Sequence, residues 1–142
     1  MALSADAMRT MVRDMESAMN ARRLDDLDAI MASDFVRHCE ATPQLDIRSL
    51  AEFKDFLRAD AAAFPDNVQT FTHIAADGNL IGVFATYEGT HLGPLGPFPA
   101  TGKSAKFDFA GMFSVDNGKL AEFRVTWDNV TILTQLGLMP PS

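Results

Sequence analysis

"KSAKFDFAGMFSVDNGKLAEFRVTWDNVTILTQLG", residues 103–137, changes its periodicity twice. Phe107, Phe109 and Phe113 fall on one side of an alternating run, the pattern of a strand with one buried face. Asp116-Asn117-Gly118 follows, a turn signal that joins this run to a second alternating one over residues 119–127. In that second run Glu122, Arg124, Thr126 and Asp128 share one side, and Ala121, Phe123, Val125 and Trp127 the other. Beyond Trp127 the spacing becomes helical, through Val130, Leu133 and Leu136. Asp128 stands at the joint.

Working outward, "VQTFTHIAA" (residues 68–76) and "NLIGVFATYEGTH" (79–91) read as another strand pair across Asp77-Gly78. Between the two pairs lies "LGPLGPFPATG", residues 92–102, whose glycines and prolines predict an ordered but irregular loop suited to a rim or lid. Towards the N-terminus, Ser4 is placed to cap a helix with the apolar stripe Met8, Met11, Val12, Met15 and Met19, ending near Asn20. A short second helix is expected from about Asp25, with Leu27, Ile30 and Met31 inward, and a brief strand in "DFVRHCE". Ser49 and Glu52 form a capping box for a third helix carrying Leu50, Phe53, Phe56, Leu57 and Phe64, which must stop before Pro65. Three helices, a four-stranded antiparallel meander and a closing helix make an α+β order in one domain, residues 1–142.

Net charge is −7, with no basic cluster to offset it, so nucleic acid is not expected as a partner. No apolar run approaches the roughly 20 residues that cross a bilayer, and no basic segment followed by an apolar run opens the chain. The expectation is a cytoplasmic protein that binds no membrane. Cys39 is the sole cysteine, which excludes an intrachain disulfide and reads as a small core hydrophobe. His38, His73 and His91 lack metal-ligand spacing. The glycine-rich loop has prolines where a phosphate cradle needs free amides. Neither a metal nor another cofactor is therefore expected.

The tract "YEGTHLGPLGPFPATGKSAKFDFAGMFSVDNGKLAEFRVTWDNVTILTQLG", residues 87–137, resembles the SnoaL-like polyketide cyclases, or ester cyclases, of the nuclear-transport-factor-2-like superfamily. The likeness rests on Gly-Thr-His-x-Gly-Pro, Pro-x-Thr-Gly-Lys, Asn-Gly-Lys and Trp-Asp…Gln-Leu-Gly in that order. "FVRHCE" and "AAAFPDNVQ" match more loosely. The resemblance implies a cone-shaped α+β barrel, its N-terminal helices packed into a strongly curved antiparallel sheet around a hydrophobic pocket. It also implies a homodimer, and an intramolecular aldol closure on an aromatic or polyketide-like ketone without metal or nucleotide. Asp128 is similar in position to the family's acid/base aspartate, and His38 to a pocket histidine. Arg124 and Ser114 depart from the pattern: the first puts a charge where many relatives are uncharged, the second leaves its strand without a second histidine. The same scaffold also carries isomerases, dehydratases, epoxide hydrolases and binding modules.

Aldol closure removes a proton next to one carbonyl and delivers one to the alkoxide that forms, work a single buried carboxyl can do. Asp128 fits that role if its side chain enters the pocket. The competing reading is a helix cap for the amides of Val130 or Thr131. Glu122, Arg124 and Asp128 together would suit an epoxide hydrolase, with Arg124 holding a carboxylate or a substrate oxygen, or they form a solvated or interface face. His38 is a candidate for orienting a carbonyl or assisting proton transfer, and His91 either touches a ligand at the rim or is a backbone-bonded structural histidine. Trp127 and Phe109 are candidate walls for a planar substrate. An epoxide hydrolase or isomerase, and a non-catalytic ligand-binding or scaffold module, remain the alternatives.

Overall fold

The computed structural model describes residues 3–139. Helix α1 (Ala5–Asn20) begins where the Ser4 hydroxyl accepts the amide of Ala7 at 3.0 Å. Its buried face, Met8, Met11, Val12, Met15, Ala18 and Met19, includes every position of the anticipated stripe. The expected second helix is a 3-10 helix, Leu24–Ala29, with only Leu27 buried. Strand β1 (Met31–Cys39) is longer than the brief strand anticipated and takes Met31 out of that helix. Helix α2 (Leu50–Ala63) starts with the Ser49 hydroxyl accepting the amide of Glu52 and ends one residue short of Phe64, ahead of Pro65.

Four strands follow: β2 (Val68–Asp77), β3 (Leu80–Thr90), β4 (Ser104–Asp116) and β5 (Lys119–Trp127), then α3 (Asn129–Gln135). The β4–β5 hairpin closes through Asn117 and Gly118, both at positive φ (50° and 75°), the geometry of a two-residue turn that matches strand twist. Asp116 pairs with Lys119 and Phe113 with Phe123. One bulge interrupts the ladder between Ser114 and Val115. It resets the pleat, so Leu120, Phe123 and Val125 are the buried positions and Ala121 drops out of the alternating set.

The sheet corrects the expectation of a cone-shaped, strongly curved antiparallel barrel. It is open, in the order β1-β5-β4-β3-β2, and mixed, because β1 runs parallel to β5. No ladder joins β1 to β2 among the described residues. The physical reason lies at the two edges, where other groups take the backbone bonds that closure would need. Along β2, Asn20 of α1 accepts from the Gln69 amide at 2.9 Å and donates to its carbonyl at 2.8 Å. Glu16 accepts from the Phe71 amide and Arg13 donates to the Phe71 carbonyl. Along β1, the Arg37 amide donates to Ile47 in the segment before α2. The core fills the space between one sheet face and the helices, with Phe113 and Phe123 stacked at 3.9 Å and 8°. Gly111 admits that stack: a Cβ there would lie 2.5 Å from the Phe123 ring and from the Arg124 carbonyl.

If side chains of α1 substitute for a neighbouring strand, removing one should cost more than an ordinary surface change. Asn20→Ala is expected to lower the unfolding free energy by about 1–3 kcal/mol, since it strands two half-buried backbone groups. Urea denaturation checks this, and a loss below about 0.5 kcal/mol would contradict it.

Candidate functional site

A cavity of about 710 Å³ lies between the inner sheet face, the two long helices and the glycine-proline loop. Its wall is mainly aromatic and aliphatic, with Phe71, Phe109, Phe113 and Phe123 from the sheet and Phe53 and Phe56 from α2. Pro94, Leu95 and Phe98 form its rim, as the loop's composition suggested. That loop is docked firmly. The amides of Leu92 and Gly93 both donate to the Ala63 carbonyl at the end of α2, at 2.9 and 3.1 Å. Gly93 is required for this approach, because a Cβ would fall 2.0 Å from the Ala62 carbonyl oxygen.

The polar side chains that line this wall include Arg37, Asp60 and Tyr87. Arg37 projects inward from β1 opposite Phe123 and is 5% exposed. Its guanidinium carbon lies 4.3 Å from the centre of the Phe56 ring and 5.4 Å from that of Trp127. Nη1 has no hydrogen-bond partner, and no carboxylate stands within ion-pair distance of the group, among the described residues. Burial lowers its pKa from the ordinary value, opposed by Cys39 and Asp60, but a guanidinium stays protonated at neutral pH. Asp60, on the inward side of α2, accepts a 2.9 Å hydrogen bond from the Tyr87 hydroxyl. Burial pushes its pKa up from 3.8 to about 6, against the opposing pull of that bond and of Arg22 and Arg37. Tyr87 is raised well above the ordinary phenol range, first by burial and then by the charge of Asp60. It therefore remains a proton donor to the carboxylate.

The residues anticipated as site residues divide by sheet face. Trp127 and Phe109 line the cavity. His38, Glu122 and Arg124 do come together, with His38 Nε2 3.1 Å from Glu122 and Arg124 Nε 3.9 Å from it. They meet on the opposite face, since His38 pairs with Arg124 on the side away from Arg37 and Phe123. The arrangement expected of an epoxide hydrolase, an arginine between carboxylates inside the pocket, is therefore absent from them. His91 is fully buried outside the cavity wall; its Nδ1 accepts from the Thr101 amide, and its ring stacks on Phe64. It anchors the loop. Asp128 is exposed and caps α3, accepting from the Val130 amide at 2.9 Å and the Thr131 hydroxyl at 3.0 Å. The condition for its catalytic reading, a carboxylate entering the cavity, is not met.

Comparison with known proteins bears on the same chain. The SnoaL-like polyketide cyclase family matches residues 9–136, nearly the whole sequence. The chain belongs to that family. No curated protein matches it. Among solved structures, IdmH of Streptomyces antibioticus, proposed to be a polyketide cyclase, is similar at 27% identity and a TM-score of 0.79, covering 91% of this chain and 97% of that one. AclR of Streptomyces galilaeus, proposed to be a hydroxylase, is 21% identical with a TM-score of 0.82, covering 96% and 100%. TsrD of Streptomyces laurentii is 19% identical with a TM-score of 0.86, covering 96% and 99%.

In this SnoaL-like chain, Asp60, Arg37 and Tyr87 each carried a signal in the sequence. Asp60 falls at helical spacing between Phe56, Leu57 and Phe64, a carboxylate on an apolar stripe. Arg37 stands between Phe35 and Cys39 on the buried side of its strand, and Tyr87 continues Ile81, Val83 and Ala85. A charge on an apolar face is the pattern to look for.

The raised pKa of Asp60 has a signed consequence for stability. Between 3.8 and about 6 the folded protein holds this proton more tightly than the unfolded chain, so stability falls as pH rises through that window. The shift corresponds to roughly 3 kcal/mol. Asp60→Asn, which keeps an acceptor for Tyr87 without the charge, should be more stable than the parent at about pH 7.5, and the gain should vanish near pH 4. Thermal melts across that range check it. A constant difference at all pH values would contradict the assignment.

Proposed function

We propose that the protein is a small-molecule enzyme in which Asp60 carries the proton in an aldol-type ring closure on a hydrophobic ketone. What supports this reading best is a carboxyl poised near pH 6 in the same apolar cavity as an unpaired cation. The ionised Asp60 takes a proton from the carbon beside one carbonyl, and the pair from that C–H bond moves into an enolate. The enolate carbon then attacks a second carbonyl of the same molecule, forming the C–C bond as that carbonyl becomes an alkoxide. The alkoxide takes the proton back from Asp60, so atoms and charge balance. Tyr87 holds the carboxylate in place by its hydrogen bond, and the Arg37 charge favours the anionic intermediates electrostatically. The aromatic wall excludes water that would otherwise quench them. Membership of the SnoaL-like family and the proposed cyclase role of IdmH support the ring-closing chemistry.

The same reading includes a homodimer. Phe84 and Met112, 44% and 46% exposed, stand on the outer sheet face beside the His38–Glu122–Arg124 cluster, an apolar surface that a second copy would cover. Light scattering at micromolar concentration should give twice the chain mass, and Phe84→Asp should give the monomer. A monomeric parent would refute the dimer.

The proton step can be tested without knowing the substrate, by following exchange of the α-protons of β-tetralone in deuterated water by NMR. The parent should accelerate exchange, with a rate that rises through about pH 6 to a plateau. Asp60→Asn should lose about 10²–10⁴ of that acceleration. Asp128→Asn keeps the capping oxygen and should exchange at the parental rate while losing at most ~1 kcal/mol of stability. Equal rates for the parent and Asp60→Asn would rule out this role for Asp60, and an inactive but folded Asp128→Asn would return the role to Asp128.

A further inference from the structure

Arg37 raises a question that proton transfer alone leaves open. A transient oxyanion is matched in many sites by neutral donors, whereas here a full positive charge is buried at 5% exposure. Asp60, the carboxylate whose charge acts on it, is held by Tyr87 and stands beyond ion-pair distance. Keeping a cation unpaired in an apolar wall costs several kcal/mol in the free protein. Phe56 and Trp127 cover it and contribute a cation–π attraction, but a ring face takes an N–H far more weakly than a carboxylate does. A neutral ketone would leave that charge uncompensated until the transition state. A ligand that arrives carrying an anion would compensate it on binding, and a guanidinium whose Nη1 has no hydrogen-bond partner among the described residues suits a carboxylate.

We propose that Arg37 is the receptor for a carboxylate already present on the substrate, so that the natural ligand is a flat, apolar carboxylic acid rather than a neutral ketone or ester. The proposal builds on the reading of the cavity as the substrate site. It adds ground-state recognition: the carboxylate seats against Arg37 at the Phe56–Trp127 end, and the hydrophobic body lies along the phenylalanine wall towards Asp60 and Tyr87. The cavity's about 710 Å³ accommodates a fused-ring skeleton of this kind. Asp46, Glu52 and Asp55 line the mouth and repel an approaching anion. Those exposed charges are screened over roughly 8 Å at physiological salt, while the buried pair is screened much less. Acid binding should therefore hold or strengthen as salt rises, the opposite of binding to a basic surface patch.

The test is equilibrium binding of two unreactive probes of the same shape, β-naphthoate and β-naphthamide, measured by calorimetry on the full-length protein at neutral pH. The parent should bind the acid at least about tenfold more tightly than the amide. Arg37→Met should erase that preference while leaving the amide affinity within about threefold, which shows the cavity intact. Arg37→Lys should retain part of it. Equal affinities in the parent would overturn the proposal whatever the variants do, as would a preference that survives in Arg37→Met. Asp60→Asn is expected to bind naphthoate at least as well as the parent. A parent that exchanges β-tetralone protons but ignores the carboxylate would overturn this inference alone. One that prefers the acid yet exchanges nothing would overturn the enzymatic reading alone.

Discussion

Along the parallel β1–β5 ladder, Arg37 pairs with Phe123 and His38 with Arg124. Successive side chains leave a strand on opposite sides, so one register decides which charges face the cavity and which face outward. A slip of one residue would put His38 inside and Arg37 outside. The β4–β5 hairpin holds that register from the other side, through the Asn117-Gly118 turn and the Phe113–Phe123 stack. Arg37, Phe123, Val125 and Trp127 reach the same cavity because these two ladders agree.

The cavity exists because the sheet stays open and the helices cover one of its faces. Side chains of α1 occupy the backbone of β2 at Gln69 and Phe71, and the segment before α2 occupies β1 at Arg37. Satisfying the edges this way avoids the exposed row of amides that invites aggregation. It also fixes α1 and α2 at a distance their own apolar stripes cannot fill. The loop over residues 92–102, pinned through Ala63 and His91, completes the rim.

Within that space the apolar surroundings make the few polar groups chemically consequential. Burial raises Asp60 towards neutrality, where a carboxyl both accepts and returns a proton readily. The same burial leaves Arg37 charged, its Nη1 without a hydrogen-bond partner among the described residues. Neither property belongs to the residue type. Asp128 makes the contrast: a carboxylate in solvent, held by an amide and a hydroxyl, serves the helix that follows it.

Local patterns carried much of the architecture. The Met8–Met19 stripe, the Ser4 and Ser49 caps, the stop before Pro65 and both hairpin turns depend on contacts within a few residues, and each is legible in order along the chain. The family likeness was legible too, from the motifs between Tyr87 and Gly137. The open, mixed sheet was not, because pairing β1 with β5 joins segments some 85 residues apart and leaves no periodic trace. The site divided in the same way. Trp127 and Phe109 were marked by alternation, but His38, Glu122 and Arg124 needed the sheet to show that they share its outer face. Asp60, Arg37 and Tyr87 come from a helix and two strands that do not adjoin in sequence, and only packing brings them into one low-dielectric wall. Sequence determines which faces are apolar; tertiary structure decides which charges those faces enclose, because desolvation acts through neighbours in space.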